Sequence, residues 1–124
     1  MGINIKKWFS FKQNDRKPAL AIEIQYLDTD IKNAGYPVKF YMRKYSDTTR
    51  SGELKVSGNA SVVSAIEEPA GSGKWLTKIK YMWADGDLDT AGDYIAEFSI
   101  EYPDGTLTVP SDGYIGIRVY PDVD

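Results

Sequence analysis

Asp87 to Tyr102 reads DLDTAGDYIAEFSIEY, and this stretch decides the fold. Tyr94, Ala96, Phe98, Ile100 and Tyr102 occupy every second position, with Asp93, Glu97, Ser99 and Glu101 among the residues between them. Side chains along a strand alternate between faces, so the pattern predicts one long strand with a buried face and a wet face. Downstream, Pro103-Asp104-Gly105 has the chemistry of a tight turn, since proline presets φ and glycine tolerates positive φ. Thr106 to Val109 is expected to pair back, residues 110–113 turn again, and Ile115, Ile117 and Val119 alternate in a last strand that ends at Tyr120.

Upstream, Trp75, Thr77, Ile79, Tyr81 and Trp83 share one face of a strand predicted over 74–83, which puts Trp83 in the core. Val38, Phe40 and Met42 point inward from a strand over 38–45, leaving Lys39, Tyr41, Arg43 and Tyr45 outside. Leu20, Ile22, Ile24 and Tyr26 define the inner face of a strand over 20–26. Ile3, Ile5, Phe9 and Phe11 define a first one, with Lys7 as a polar intrusion on its apolar face. Residues 28–37 read as a loop, and 46–59 as a polar, mobile connection holding a short strand at 53–56. Residues 60–66 read as a strand and 67–73 as a turn-rich break. No window of eleven or more residues carries a 3.6-residue period. Seven or eight short strands separated by turns predict an all-β, antiparallel sandwich. Gly92, two residues before Tyr94, adds the lead-in of a tyrosine corner, the immunoglobulin-like device in which a Tyr hydroxyl ties back to the upstream backbone. Ala96 stands where an antibody domain carries its second cysteine.

With 124 residues the chain suits one domain over 1–124, in which residues 1–11 are either an N-terminal arm or the first strand. Aromatics make up 13%, a β-sheet composition. A net charge of −3 gives no cationic footprint for a nucleic-acid backbone. There is neither cysteine nor histidine, which removes disulfides, zinc sites, thiol nucleophiles and the imidazole base together. No signal peptide or membrane span is read in MGINIKKWFSF, whose short apolar runs are broken by lysines. The reading is a protein without cofactor, metal, nucleic-acid or membrane partner, and not an enzyme.

VKFYMR at 38–43 and KIKYMWADGDLDTAGDYIAEFSIEYPDGTLTVPSDGYIGIRV at 78–119 resemble the immunoglobulin-like domain of bacteriophage virion proteins, typified by the N-terminal domain of phage baseplate upper proteins. The shared features are an aromatic-x-Trp pair ending at Trp83, an acidic segment ending in Gly92-x-Tyr94, the Ala-Glu-Phe triplet through Phe98, the turn at Gly105 and a late Pro110. The resemblance implies a non-catalytic structural protein of the virion, made in the host bacterial cytoplasm, that contacts other virion proteins and itself in many copies. Baseplate, tail, neck and head accessory positions all fit. The matched residues are fold residues, so no attachment site is implied by them.

Asp85, Asp87 and Asp89 begin a calcium-loop spacing, but Thr90 stands where that loop needs glycine and Ala96 where it needs glutamate; local capping of backbone amides explains the aspartates. Residues 70–74, AGSGK, lack the first glycine and the Ser or Thr of a phosphate loop and read as a hairpin turn. The pairs Glu67-Glu68 and Glu97 with Glu101 could be imagined as glycosidase carboxylates, yet read as solvated acids. Trp8, Tyr41, Arg43 and Tyr45 fall opposite the apolar faces, and are the candidate interface residues, since interface centres favour Tyr, Trp and Arg. The same aromatics suit a carbohydrate-binding module that recognises a host surface glycan, and a second layer or the N-terminal strand covering them is the third alternative.

Overall fold

The computed structural model describes residues 3–45 and 54–122. In chain order these form β1 (Asn4–Lys12), β2 (Leu20–Leu27), a single helical turn α1 (Ile31–Ala34), β3 (Val38–Lys44), β4 (Leu54–Glu67), β5 (Trp75–Tyr81), β6 (Gly92–Tyr102), β7 (Gly105–Val109) and β8 (Asp112–Tyr120). Neighbours run β1-β8-β6-β3-β4-β5-β2, with β7 beside β6 beyond the end of β8. The eight strands make one sheet nearly closed into a barrel.

The all-β expectation holds, and the departures from the predicted antiparallel sandwich are two. First, β1 pairs with β8 in parallel, from Asn4 beside Asp112 to Lys12 beside Tyr120. The N-terminal residues therefore pair with their own chain, and Phe11 is buried against Trp83 with ring centres 5.1 Å apart. Second, β4 runs on without a break through residues expected to be a connection. Its first half pairs with β3 and its second half with β5, so one strand carries the sheet around the core. Glycine weakens a strand unless something needs the space. Here the Tyr81 ring lies where a Cβ on Gly58 would sit, 3.0 Å from its Cε1, so the residue that suggested a loop is a packing site. Ser46 to Glu53 lie outside the described residues.

The segment read as a loop over 28–37 contains α1. The Asp30 carboxylate accepts the Asn33 N–H at 3.0 Å, Gly35 ends the turn in the left-handed conformation at φ 73°, and Ile31 fills the core. Tyr26, expected inside, is 50% exposed. A register shift between Ile24 and Leu27 turns it outward at φ 67° and sends Leu27 into the core instead.

The core is aromatic at its centre. Phe40 stacks on Tyr81 at 4.3 Å, meets Trp83 edge-on at 5.7 Å and pairs across the ladder with Phe98 at 5.1 Å. Ile22, Ile79, Ile100, Ile115 and Ile117 fill the space around them. Burying each such side chain contributes about 1.5–3 kcal/mol before conformational entropy is charged against it. Tyr94 is buried, and its hydroxyl donates to the Thr90 carbonyl at 2.8 Å, the tie-back that the Gly92-x-Tyr94 spacing predicts. Trp83 is 2% exposed although β5 ends two residues before it, at Tyr81. Gly92, at φ 144°, opens β6, and Gly105, at φ 159°, opens β7 after the hairpin turn.

Candidate interaction face

The outer surface of β1, β8, β6 and β3 is one continuous face, ruled into rows by the strand registers. One row runs Ser10, Arg118, Asp93, with the Tyr45 N–H donating to the Asp93 carbonyl at its end. The next runs Trp8, Gly116, Ile95, Arg43. A third runs Lys6, Tyr114, then Glu97 one step past the last β6–β8 pair, then Tyr41. Alternation along each strand puts all of these outside, with Ile115, Ile117, Phe98 and Met42 on the inner side.

Trp8 organises this face. A Cβ on Gly116 would fall 2.4 Å from the indole Cδ2, so the missing side chain lets the ring lie directly on the sheet. Tyr45 meets the indole edge-on at 6.3 Å, Tyr114 lies tilted to it at 5.9 Å, and the Arg118 guanidinium lies 4.8 Å from the ring centre. Arg118 is itself held by Asp93, Nε to Oδ1 at 2.9 Å and Nη2 to Oδ2 at 3.3 Å, a two-point contact that raises the guanidinium pKa above its ordinary value. Arg43 reaches Glu97 across the β3–β6 ladder at 3.4 Å. Trp8 and Tyr45 keep 36% and 38% exposure. Of the four sequence candidates, Trp8 and Tyr45 are brought into contact, while Tyr41 and Arg43 sit on the same face with Arg43 in the row of Trp8.

Tyr114, Arg118 and Asp93 belong to this face and were missed. The signal was Gly116, a small residue at an outward position of a strand, whose meaning depends on knowing that β1 lies beside β8. A shallow hollow of about 180 Å³ opens in the same surface, lined by Arg43, Ile95, Glu97 and Tyr114 among others.

The other polar clusters are occupied internally. Asp85 pairs with Arg16 at 3.1 Å, Asp87 accepts from Tyr81 at 2.6 Å and from the Ala84 N–H at 2.8 Å, and Asp89 pairs with Lys55, which lowers its pKa. Three aspartates that alternate in sequence thus diverge to three different partners. Among the described residues no group of three His, Cys, Asp or Glu side chains converges as a metal site requires. In the 70–74 turn the Gly71 and Gly73 amides point at the two oxygens of Glu67, each at 2.9 Å, so the chain's own carboxylate fills the position a phosphate would take. Among the described residues no helix is long and apolar enough to cross a membrane.

No protein-family model matches the chain, and no curated protein matches it.

Proposed function

We propose that this chain is a non-catalytic structural protein of a bacteriophage particle, an immunoglobulin-like β-sandwich that acts in many copies by protein contact. The particle assignment rests on the resemblance over 38–43 and 78–119. The immunoglobulin-like reading is supported by the pairing of β2 with β5 and of β6 with β3 and β8, by the parallel first-to-last strand contact, and by the Tyr94 tie-back. The observation that favours protein contact is the face built on Trp8: aromatic rings, two arginines and carboxylates on a rigid sheet match the composition of interface centres.

The carbohydrate reading is less well supported by the same geometry. A sugar stacks on an open aromatic face, whereas the Trp8 indole lies on Gly116, with Arg118 against the ring and Tyr45 and Tyr114 beside it. Quantitative mass spectrometry of gradient-purified phage particles, together with a glycan array, tests the assignment. The expected result is a stoichiometric, multi-copy virion component and a blank array. Absence from the particle, or binding to a defined glycan, overturns it.

A further inference from the structure

We propose that the Trp8 face is a two-fold interface whose partner is a second copy of this chain. The inference deepens the assembly reading above by naming the partner, and it stands on the order of residues within each row. In a face-to-face pair with the two-fold axis running along the strands between β6 and β8, row height is preserved and columns exchange. Strand β6 then lies opposite β8 of the second copy, and β3 opposite its β1.

That exchange brings complementary groups together at each level. Asp93 faces Arg118 of the second copy and Arg118 faces its Asp93, two oppositely charged encounters from one row. In the next row the Trp8 indole, which lies on Gly116, comes against Ile95 and Arg43 of the second copy. In the third, Glu97 meets the Tyr114 hydroxyl and Tyr41 meets Lys6. The hollow between Arg43, Ile95, Glu97 and Tyr114 lies where the edge of the incoming indole would enter. An axis over the centre of β6 would instead stack Asp93 and Glu97 on their own images, which like-charge repulsion opposes. An isologous interface needs just this property, that one patch complement itself.

Four strands at about 4.8 Å spacing, over the roughly 17 Å that the three rows span, offer a flat area of about 330 Å² from each copy. That is below the size of a stable interface, so the pair is weak in solution and is strengthened by avidity when many copies are held in one particle.

Sedimentation velocity over a wide concentration range tests this. The wild-type chain is expected to pass from monomer to dimer as concentration rises. Asp93→Arg and Arg118→Asp should each weaken association about tenfold or more, and Ile95→Arg should do the same without touching an ion pair within the chain. Far-UV circular dichroism checks that each variant is folded. An equimolar mixture of the Asp93→Arg and Arg118→Asp chains should recover a heterodimer, because one carries two cations in that row and the other two carboxylates. Mending the contact by mixing is something that a broken bond inside one chain cannot do. Overturning results are a wild-type monomer at every concentration, an Ile95→Arg dimer as strong as wild type, or no recovery on mixing. A solution monomer found at many copies in the particle would sink this inference alone; a dimer absent from particles would sink the particle reading alone.

Discussion

Tyr94 donates its hydroxyl to a backbone carbonyl four residues upstream from inside the core, where Tyr81 is also buried and against which Tyr102 packs partly buried. Burial raises the pKa of Tyr81, Tyr94 and Tyr102 above the ordinary 10.0, and for Tyr81 the hydrogen bond to Asp87 and that carboxylate's charge add to it. A phenol whose folded pKa lies above its unfolded one stabilises the fold fully below pH 10, and that share is lost as pH climbs from 10 through the folded values. The urea midpoint is therefore expected to hold flat from neutrality to pH 10 and fall beyond it, with Tyr94→Phe flattening the fall. At neutral pH that variant should lose about 1 kcal/mol, the usual worth of one such bond, measured by urea titration. Gly116 is a second position where one atom decides an outcome. Gly116→Ala inserts a methyl group into the space of the Trp8 ring, so the indole must leave the sheet. The expected cost is about 1–3 kcal/mol in urea unfolding, with a changed near-UV circular dichroism band from the displaced indole.

At the scale of elements, the places where periodicity was legible and where it was not have separate physical causes. β6 alternates without interruption because β3 on one side, and β8 followed by β7 on the other, pair with it over the core, so every second residue is forced inward. β2 carries the same signal until Tyr26, where a bulge reverses the alternation; a bulge has no residue signature here, since no glycine marks it. β4 was half hidden because Gly58 answers to Tyr81, a residue more than twenty positions away. The candidate face was legible as a set of outward aromatics, but its assembly around Trp8 was not, because strand lists do not say that the first strand lies beside the last. The two strands that end the sheet order, β1 and β2, are both blunted: β2 by its bulge and β1 by Lys7, which points to the inner side and lies 5.0 Å over the Phe9 ring. Inward lysines and bulges are how natural sheets discourage edge-to-edge pairing. Lys7→Ile should thus leave the monomer folded yet promote concentration-dependent association through the β1 edge, detected by light scattering. Unchanged scattering would mean that the bulge on β2 suffices alone.

For the molecule as a whole, the parallel contact between β1 and β8 closes the chain on itself, pairing residue 4 with residue 112 and residue 12 with residue 120. Contacts so far apart in sequence return their energy only after nearly the entire chain is ordered, so folding is expected in the millisecond-to-second range typical of β topologies rather than the microseconds of helical bundles. The same closure makes the two terminal strands interdependent. Ending the chain at Val109 removes β8, which strips β1 of its hydrogen-bonding partner and exposes the outer half of β6. It also takes Ile115, Ile117 and Val119 from the core. Three fully or nearly buried aliphatic side chains at about 1.5–3 kcal/mol each amount to most of the net stability expected of a domain this size. The shortened chain should therefore unfold throughout instead of losing only its last strand. Hydrogen exchange on the intact protein checks the same point without truncation: amides of β1 and β8 should open with the free energy of β6, as one cooperative unit. Faster exchange confined to β1 and β8, with β2 to β5 still protected, would mean that the barrel-like core stands without its closing pair.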